Sequence, residues 1–167
     1  MWLLPAVICY LFALPGQHQI ELPPSHLSVS ASAGGGGGSI HGDGEDGSSD
    51  TLYENWKGGT FHVYVGEGGK GGFDFGRGGG LTMYGWEPLP IDYRALYMWW
   101  LQTRNVSFVA EMTLRPVWNA SYTVTTDQRV RRSRGGLASR TYGNDTLPPT
   151  DGEDGKVIVC VLDDFEL

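Results

Sequence analysis

The stretch that decides the fold is "VYVGEGGKGGFDFGRGGG", residues 63–80, where an apolar run is followed by clustered glycines. Its spacing Gly66-x-Gly68-x-x-Gly71 matches a nucleotide-binding fingerprint, in which the glycines lead into a helix that binds the pyrophosphate. Each glycine costs a helix about 1 kcal/mol relative to alanine, so we expect no helix after Gly71. The kinase triplet DFG follows at residues 74–76, too close to the glycines for a two-lobed kinase. We predict no nucleotide site.

Glycine clusters of this kind allow backbones to approach one another closely, and the exposed N–H and C=O groups must then find partners. The sequence therefore predicts packed extended segments. We expect the neighbouring aromatic side chains to help this packing, namely Phe73, Phe75, Tyr84 and Trp86.

Length and composition indicate one small acidic domain. The chain has 167 residues, 26 of them glycine, and a formal net charge of −7, which argues against general nucleic-acid binding. None of the four histidines has metal-ligand spacing with another histidine or with Cys160. No nucleophile elbow is present. We therefore predict a protein that is not an enzyme and holds no cofactor or metal.

Alternating apolar residues predict strands in three places. Phe61, Val63 and Val65 share one face of a first strand, and residues 81–86 are a candidate for a second. Residues 105–114 and 119–126 alternate as an antiparallel hairpin with one buried face, which includes Tyr122 and Val124. The unbroken apolar run at 157–162 predicts a strand covered on both faces. The predicted fold class is mainly β: a small antiparallel β domain with a glycine-rich extended module and a flexible N-terminal segment.

The N-terminal segment "MWLLPAVICYLFALPGQ" has the length and polarity of a signal peptide, which we expect to end at residue 16. A buried N-terminal helix is the alternative. Cleavage would remove Cys9 and leave Cys160 unpaired, either as a buried thiol or as a bridge in a dimer. No other uncharged run is long enough to span a membrane, so we predict no transmembrane span.

Three N-glycosylation sequons support export, at Asn105, Asn119 and Asn144. The first two asparagines fall on the polar faces of the predicted hairpin, where a glycan has room. We predict a secreted, extracellular protein. The C-terminal "DFEL" resembles an ER-retrieval signal only in its last two residues, so ER retention is the less favoured destination.

The arginine-rich string "RVRRSR" predicts either a solvated basic loop or a cleavage site for a furin-type protease. The residues concerned are Arg129, Arg131, Arg132 and Ser133. Residues 90–103 are ambiguous between helix and strand. Trp99 and Trp100 in this region are either core side chains or a contact for a partner.

These observations give a predicted domain organisation along the chain. Its parts are a signal peptide (1–16), a flexible polar, glycine-rich and acidic leader (17–50), a glycine-rich and β-hairpin domain (51–128), a basic then acidic loop (129–156), and a C-terminal strand with an acidic tail (157–167). The string DGEDG occurs twice, at 43–47 and 151–155, and we interpret both copies as solvated acidic turns.

Residues 33–85 resemble the glycine-rich domains of some phage tail proteins and of some extracellular receptors. The matching positions are Gly59, Val63, Val65, Gly66, Gly68, Gly69, Gly71 and Gly72. The resemblance implies a compact β and extended-glycine module used for binding or structure.

We therefore expect a secreted glycoprotein that binds an unknown protein or carbohydrate, or that has a structural role. The alternative is a proprotein that a furin-type protease cleaves after Arg132 to give an active body or tail peptide.

Overall fold

The computed structural model describes residues 7–85, 122–142 and 145–162. These residues form ten β-strands and no helix. The strands are β1 (Ile8–Phe12), β2 (Gly16–Leu22), β3 (Ser25–Ser32), β4 (Ser49–Trp56), β5 (Gly59–Val65), β6 (Met83–Gly85), β7 (Thr123–Thr125), β8 (Arg140–Tyr142), β9 (Asp145–Leu147) and β10 (Lys156–Leu162). All pairings between named strands are antiparallel, so the prediction of a small, mainly β antiparallel domain is confirmed.

The strands form a five-stranded sheet in the order β4-β3-β10-β1-β7 and a three-stranded sheet in the order β2-β5-β6. Strands β8 and β9 form a separate hairpin. The apolar core draws on both larger sheets. Its buried members are Phe12, Ile20, Leu22, Leu27, Val29, Trp56, Phe61, Val63, Val65, Val157 and Val159.

Two strands confirm the predictions made from their apolar patterns. Phe61, Val63 and Val65 of β5 are all buried in this core. Strand β10 lies between β3 and β1, with alternate residues facing the core and the opposite side of the sheet. Because both of its faces are covered, β10 carries apolar residues at consecutive positions.

Strand β1 lies within the segment predicted to be a signal peptide. It pairs with β10 on one side and β7 on the other, and Phe12 is fully buried in the core. A signal peptide ending at residue 16 is incompatible with this sheet. The physical reason is that a short uncharged apolar run suits a buried central strand as well as a signal sequence.

A disulfide joins β1 to β10 through Cys9 and Cys160, which are cross-strand partners in the sheet. The expectation that Cys160 is unpaired is therefore wrong, and with it the dimer bridged by this residue. The bond closes a loop of 151 residues along the sequence. In the chain-entropy account, a closure of that length stabilises the folded state by about 5 kcal/mol.

Residues 17–50 are not a flexible leader outside the domain, as the sequence suggested, because they include β2 and β3. The string "SHLSVSAS" of β3 alternates between the core residues Leu27 and Val29 and the buried serines Ser28, Ser30 and Ser32. Because serine is small and polar, the sequence did not indicate that both faces of this strand are buried.

The predicted hairpin at 105–126 is described only at its end, where β7 contains three residues. Val124 was expected in the buried face but is 71% exposed. Tyr122 is 41% exposed, and its ring contacts Tyr10 and Phe12.

The glycine-rich part forms a bundle of extended segments outside the two sheets. A central segment, residues 33–39, continues directly from β3 and is surrounded by five others. We name these segment A (42–48), segment B (66–72), segment C (76–80), segment D (133–139) and segment E (150–155).

Backbone hydrogen bonds around the central segment repeat every three residues. Gly34 and Gly37 donate to segment C, whereas Gly35 and Gly38 donate to segment E. Gly36 donates to segment A and accepts from segment D. This period matches the three residues per turn of a polyproline II helix. Further backbone bonds join the outer segments in the order A–D–E–B–C.

The close approach of these backbones explains why the central segment reads "AGGGGGS". A Cβ placed on Gly37 would lie 2.1 Å from the carbonyl oxygen of Lys70. A Cβ on Gly36 would lie 3.4 Å from its nearest neighbour, the amide nitrogen of Glu45, which is ordinary contact. Given the period of three, Ala33 and Ser39 carry their side chains in the same direction as Gly36.

This geometry predicts opposite outcomes for two neighbouring substitutions. Gly37→Ala should lower the free energy of unfolding by about 3 kcal/mol, at the upper end of the usual cost of overpacking, because backbone has to move to admit the methyl group. Gly36→Ala should change it by no more than about 1 kcal/mol. Chemical denaturation of the two variants measures the difference. Equal losses in both would contradict the described packing.

Candidate functional site

The end of the glycine bundle away from the two sheets exposes five large apolar side chains, which we call the apolar tip. They are Ile40, Phe73, Phe75, Leu137 and Leu147. Backbone contacts bring their segments together: Ile40 donates its N–H to the Phe73 carbonyl at 3.2 Å. The Ser139 hydroxyl donates to the Leu147 carbonyl at 3.0 Å, and the backbone N–H of Ser139 donates to the Ser39 carbonyl.

The two phenylalanines are the most exposed members of the tip. Phe73 is 66% exposed and Phe75 is 75% exposed, so they do not pack within the bundle as the sequence suggested. The turn that carries them is held on both sides, by Gly72 N–H donating to Gly38 and Arg77 N–H donating to Lys70. Soluble proteins rarely expose grouped large apolar side chains, and such groups mark contact surfaces.

Beneath the tip, the two copies of DGEDG have equivalent structural roles. Most of their acidic residues are exposed, as expected from the sequence, but they lie in the extended segments A and E and not in turns. The first and fourth residues of each copy accept a backbone N–H from the adjoining segment through a carboxylate. These bonds run from Ala138 to Asp43, from Gly135 to Asp46, from Gly71 to Asp151 and from Gly68 to Asp154. The three-residue offset between the aspartates matches the period of the bundle.

Asp151 shows the electrostatic side of this arrangement. Its carboxylate accepts the Gly71 N–H at 2.8 Å, and the Lys70 ammonium group lies 3.4 Å away. The hydrogen bond from Gly71, aided by Lys70, holds the pKa of Asp151 below its ordinary value. The ionised form of Asp151 therefore favours the folded bundle.

A second feature is the strap, residues 129–134, which lies across the outer face of the five-stranded sheet. Val130 packs against Cys9, Ile158 and Cys160. Its N–H donates to the buried Ser30 hydroxyl at 3.0 Å. The strap is therefore fixed to the sheet at this point.

Ser133 fixes the other end of the strap. It is only 5% exposed, and its hydroxyl donates to the Asp154 carbonyl at 2.8 Å. The Ser133 hydroxyl also lies 3.2 Å from that of Ser32, while its carbonyl accepts the Gly47 N–H at 2.8 Å. A protease that requires an extended, accessible loop would have to detach this segment before cutting after Arg132.

The arginines of the strap are exposed and form part of the lining of a groove of about 610 Å³. The groove is lined by Leu11, Asp127, Arg129, Val130, Arg131, Arg132, Ser133, Arg134, Glu153, Asp154, Lys156 and Ile158. Among the described residues, no salt bridge engages Arg129, Arg131 or Arg132. The sequence indicated the basic string but not the serine contacts that hold it in place.

Several predicted site residues lie outside the described part of the chain. They are Trp99, Trp100, Asn105, Asn119 and Asn144. Within residues 7–85, 122–142 and 145–162, no three His, Cys, Asp or Glu side chains are grouped to hold a metal ion. In the same residues, no helix is long and apolar enough to cross a membrane.

The chain was compared with family models, curated proteins and solved structures, and none of them matches it.

The position of Asp151 predicts a pH-dependent contribution to stability. Because its pKa is lower in the folded state than in the unfolded chain, its contribution is present above the ordinary value of 3.8 and is lost as pH falls through the folded value. Asp151→Asn should destabilise the protein at pH 7 by less than about 1 kcal/mol, since the site is exposed. Denaturation at pH 7 and in strong acid tests this. A difference from the wild type that persists in acid would contradict it.

Proposed function

We propose that the protein is a secreted, N-glycosylated, non-catalytic binding module that contacts a protein partner through the apolar tip. The observation that carries this proposal is the grouping of five exposed apolar side chains at the end of a hydrogen-bonded glycine bundle. Because these side chains are exposed, they are not part of the apolar core that stabilises the domain. It is the arrangement expected of a contact surface.

The energetics favour binding at this place. Full burial of one large apolar side chain contributes roughly 1.5–3 kcal/mol, before the costs of association are subtracted. Those costs are lower when the contact surface is already ordered. The backbone bonds that hold Ile40 and the 72–76 turn provide that order. The partner we propose is a protein with an apolar pocket that accepts Phe73 and Phe75.

Three independent features support the proposal of secretion. Internal disulfides are characteristic of oxidising compartments, and Cys9 is paired with Cys160. The sequons at Asn105, Asn119 and Asn144 provide glycosylation sites on an exported chain. The resemblance of residues 33–85 to glycine-rich domains of phage tail proteins and extracellular receptors implies an external binding or structural role.

Processing after Arg132 is the second candidate function. Arg129, Arg131 and Arg132 are exposed, as recognition by a furin-type protease requires, but the residue after the scissile bond is buried. The hydrogen bonds of Ser133 favour an uncut chain, so we do not adopt processing as the main proposal.

Mass spectrometry of material secreted by an expressing cell tests these proposals together. We expect mass to be lost on deglycosylation, a chain uncut at Arg132, and a Cys9–Cys160 peptide that separates only after reduction. The N-terminal peptide should retain Cys9, because β1 is part of the sheet. Retention of the unglycosylated protein inside the cell, with both thiols reduced, would contradict secretion.

Binding through the tip is tested with matched pairs of exposed side chains. A photo-reactive side chain at position 75 should capture a discrete partner from the secretory fluid, and the same group at Tyr53 should not. Phe73→Ser/Phe75→Ser should then weaken binding to the purified partner at least 10-fold, given roughly 1.5 kcal/mol or more for each side chain.

The control variant is Tyr53→Ser/Val124→Ser, which removes side chains that are 68% and 71% exposed on the five-stranded sheet. It should bind the partner with unchanged affinity. Equal loss in both variants, or unchanged binding by the tip variant, would contradict the proposal.

A further inference from the structure

The strap combines a fixed backbone with exposed cationic groups. Val130 and Ser133, three residues apart, are directed towards the protein, whereas Arg129, Arg131 and Arg132 are exposed between and beside them. An extended chain advances about 3.3 Å per residue, so the arginines between residues 129 and 134 are displayed over roughly 16 Å. A linear array of this length matches a linear polyanion better than a small compact anion.

The charge of this region differs from that of the rest of the molecule. Among the described residues, five cationic and three acidic side chains line the groove, although the chain as a whole carries −7. Of the acidic residues, Asp154 accepts the Gly68 N–H, and Glu153 accepts the N–H of Arg134. Glu153 also lies 4.0 Å from the Arg134 guanidinium, so two of the three described carboxylates already have partners, whereas Arg129, Arg131 and Arg132 form no salt bridge with a described residue.

We propose that the strap binds a linear sulfated polysaccharide. Arginine suits this ligand because its planar guanidinium donates paired hydrogen bonds to the oxygens of an oxyanion and stays charged. Arginine-rich strings of this length occur in heparin-binding patches as well as in nucleic-acid sites. The inference deepens the proposed extracellular binding function, on which it rests, by naming a second ligand class at a second surface.

The lining of the groove favours the polysaccharide over a nucleic acid. Proteins that hold single-stranded nucleic acids combine cations with aromatic side chains on which bases stack. Among the described residues, the groove has no aromatic member, and its apolar surface comes from Leu11, Val130 and Ile158. The acidity of the chain also opposes general attraction to nucleic acid.

The fixed backbone of the strap allows the arginines to bind a ligand with little loss of backbone conformational entropy. The strap backbone is held by the buried hydroxyls of Ser30 and Ser133 and by the packing of Val130 on the disulfide. A ligand therefore has to order the arginine side chains but not the backbone, which lowers the cost of binding.

The test uses the intact purified protein and heparin as the probe, at about 0.15 M NaCl. The strap variant is Arg129→Ala/Arg131→Ala/Arg132→Ala. The control variant is Lys57→Ala/Lys70→Ala/Arg140→Ala, which removes the same number of positive charges elsewhere. Far-ultraviolet circular dichroism and thermal unfolding confirm that both variants fold.

We expect the strap variant to bind heparin at least 10-fold more weakly than the wild type, and the control to change less than about 3-fold. The slope of log Kd against log[NaCl] should become shallower by roughly one for each arginine–sulfate ion pair that the substitutions remove. Unsulfated hyaluronan and a single-stranded oligonucleotide of matched length should bind more weakly than heparin.

Equal loss in the two variants, absence of wild-type binding to heparin, or tighter binding to the oligonucleotide would each overturn the proposal. Heparin binding should be unaffected by Phe73→Ser/Phe75→Ser. The failure of this inference is therefore distinguishable from the failure of the apolar tip as a binding surface.

Discussion

The structure depends on the backbone hydrogen bonds of the central glycine segment. Each N–H from residue 33 to residue 39 donates to an adjoining stretch of chain, and carbonyls at four of these positions accept from segments B and D. The donors and acceptors lie on segments far apart in sequence, at residues 42–48, 66–80 and 133–155. Glycine is required where another backbone occupies the space of a Cβ, so the composition of this region follows from its packing.

The bundle and the sheets form one connected structure. Strands β3 and β5 continue into the central segment and segment B, while segment E leads directly into β10. The disulfide between Cys9 and Cys160 then ties β10 to β1 within the five-stranded sheet. This connection explains how the apolar tip is held away from the sheets and why the strap lies across the covered disulfide face.

The sequence predicted the elements whose side chains show a clear pattern. It identified β5 from Phe61, Val63 and Val65, and it identified β10 from an unbroken apolar run. It did not identify β3, because serine is polar and the hydroxyls of the buried Ser30 and Ser32 are satisfied by distant partners in the strap and in β4. The segment of β1 was wrongly predicted to be a signal peptide, because a buried apolar strand and a signal sequence have the same apolar composition.

The candidate sites were predictable only in part. The arginine string was evident, but its attachment through Ser133 depends on Ser32 and Asp154, which are distant in sequence. The apolar tip depends on bringing together residues from 40 to 147, which no local pattern indicates. The repeat of DGEDG was evident in the sequence. Its role, in which aspartates three residues apart accept backbone N–H groups, follows from the three-residue period of the bundle.

Amide hydrogen exchange of the native protein, followed by nuclear magnetic resonance, measures how strongly the backbone of the glycine segment is hydrogen-bonded. If the glycine segment is the hydrogen-bonded centre of the bundle, the amides of Gly34, Gly35, Gly37 and Gly38 should exchange only through global unfolding, as slowly as those of β10. Exchange of these glycine amides at the rate of an unstructured peptide, while β10 stays protected, would contradict the account.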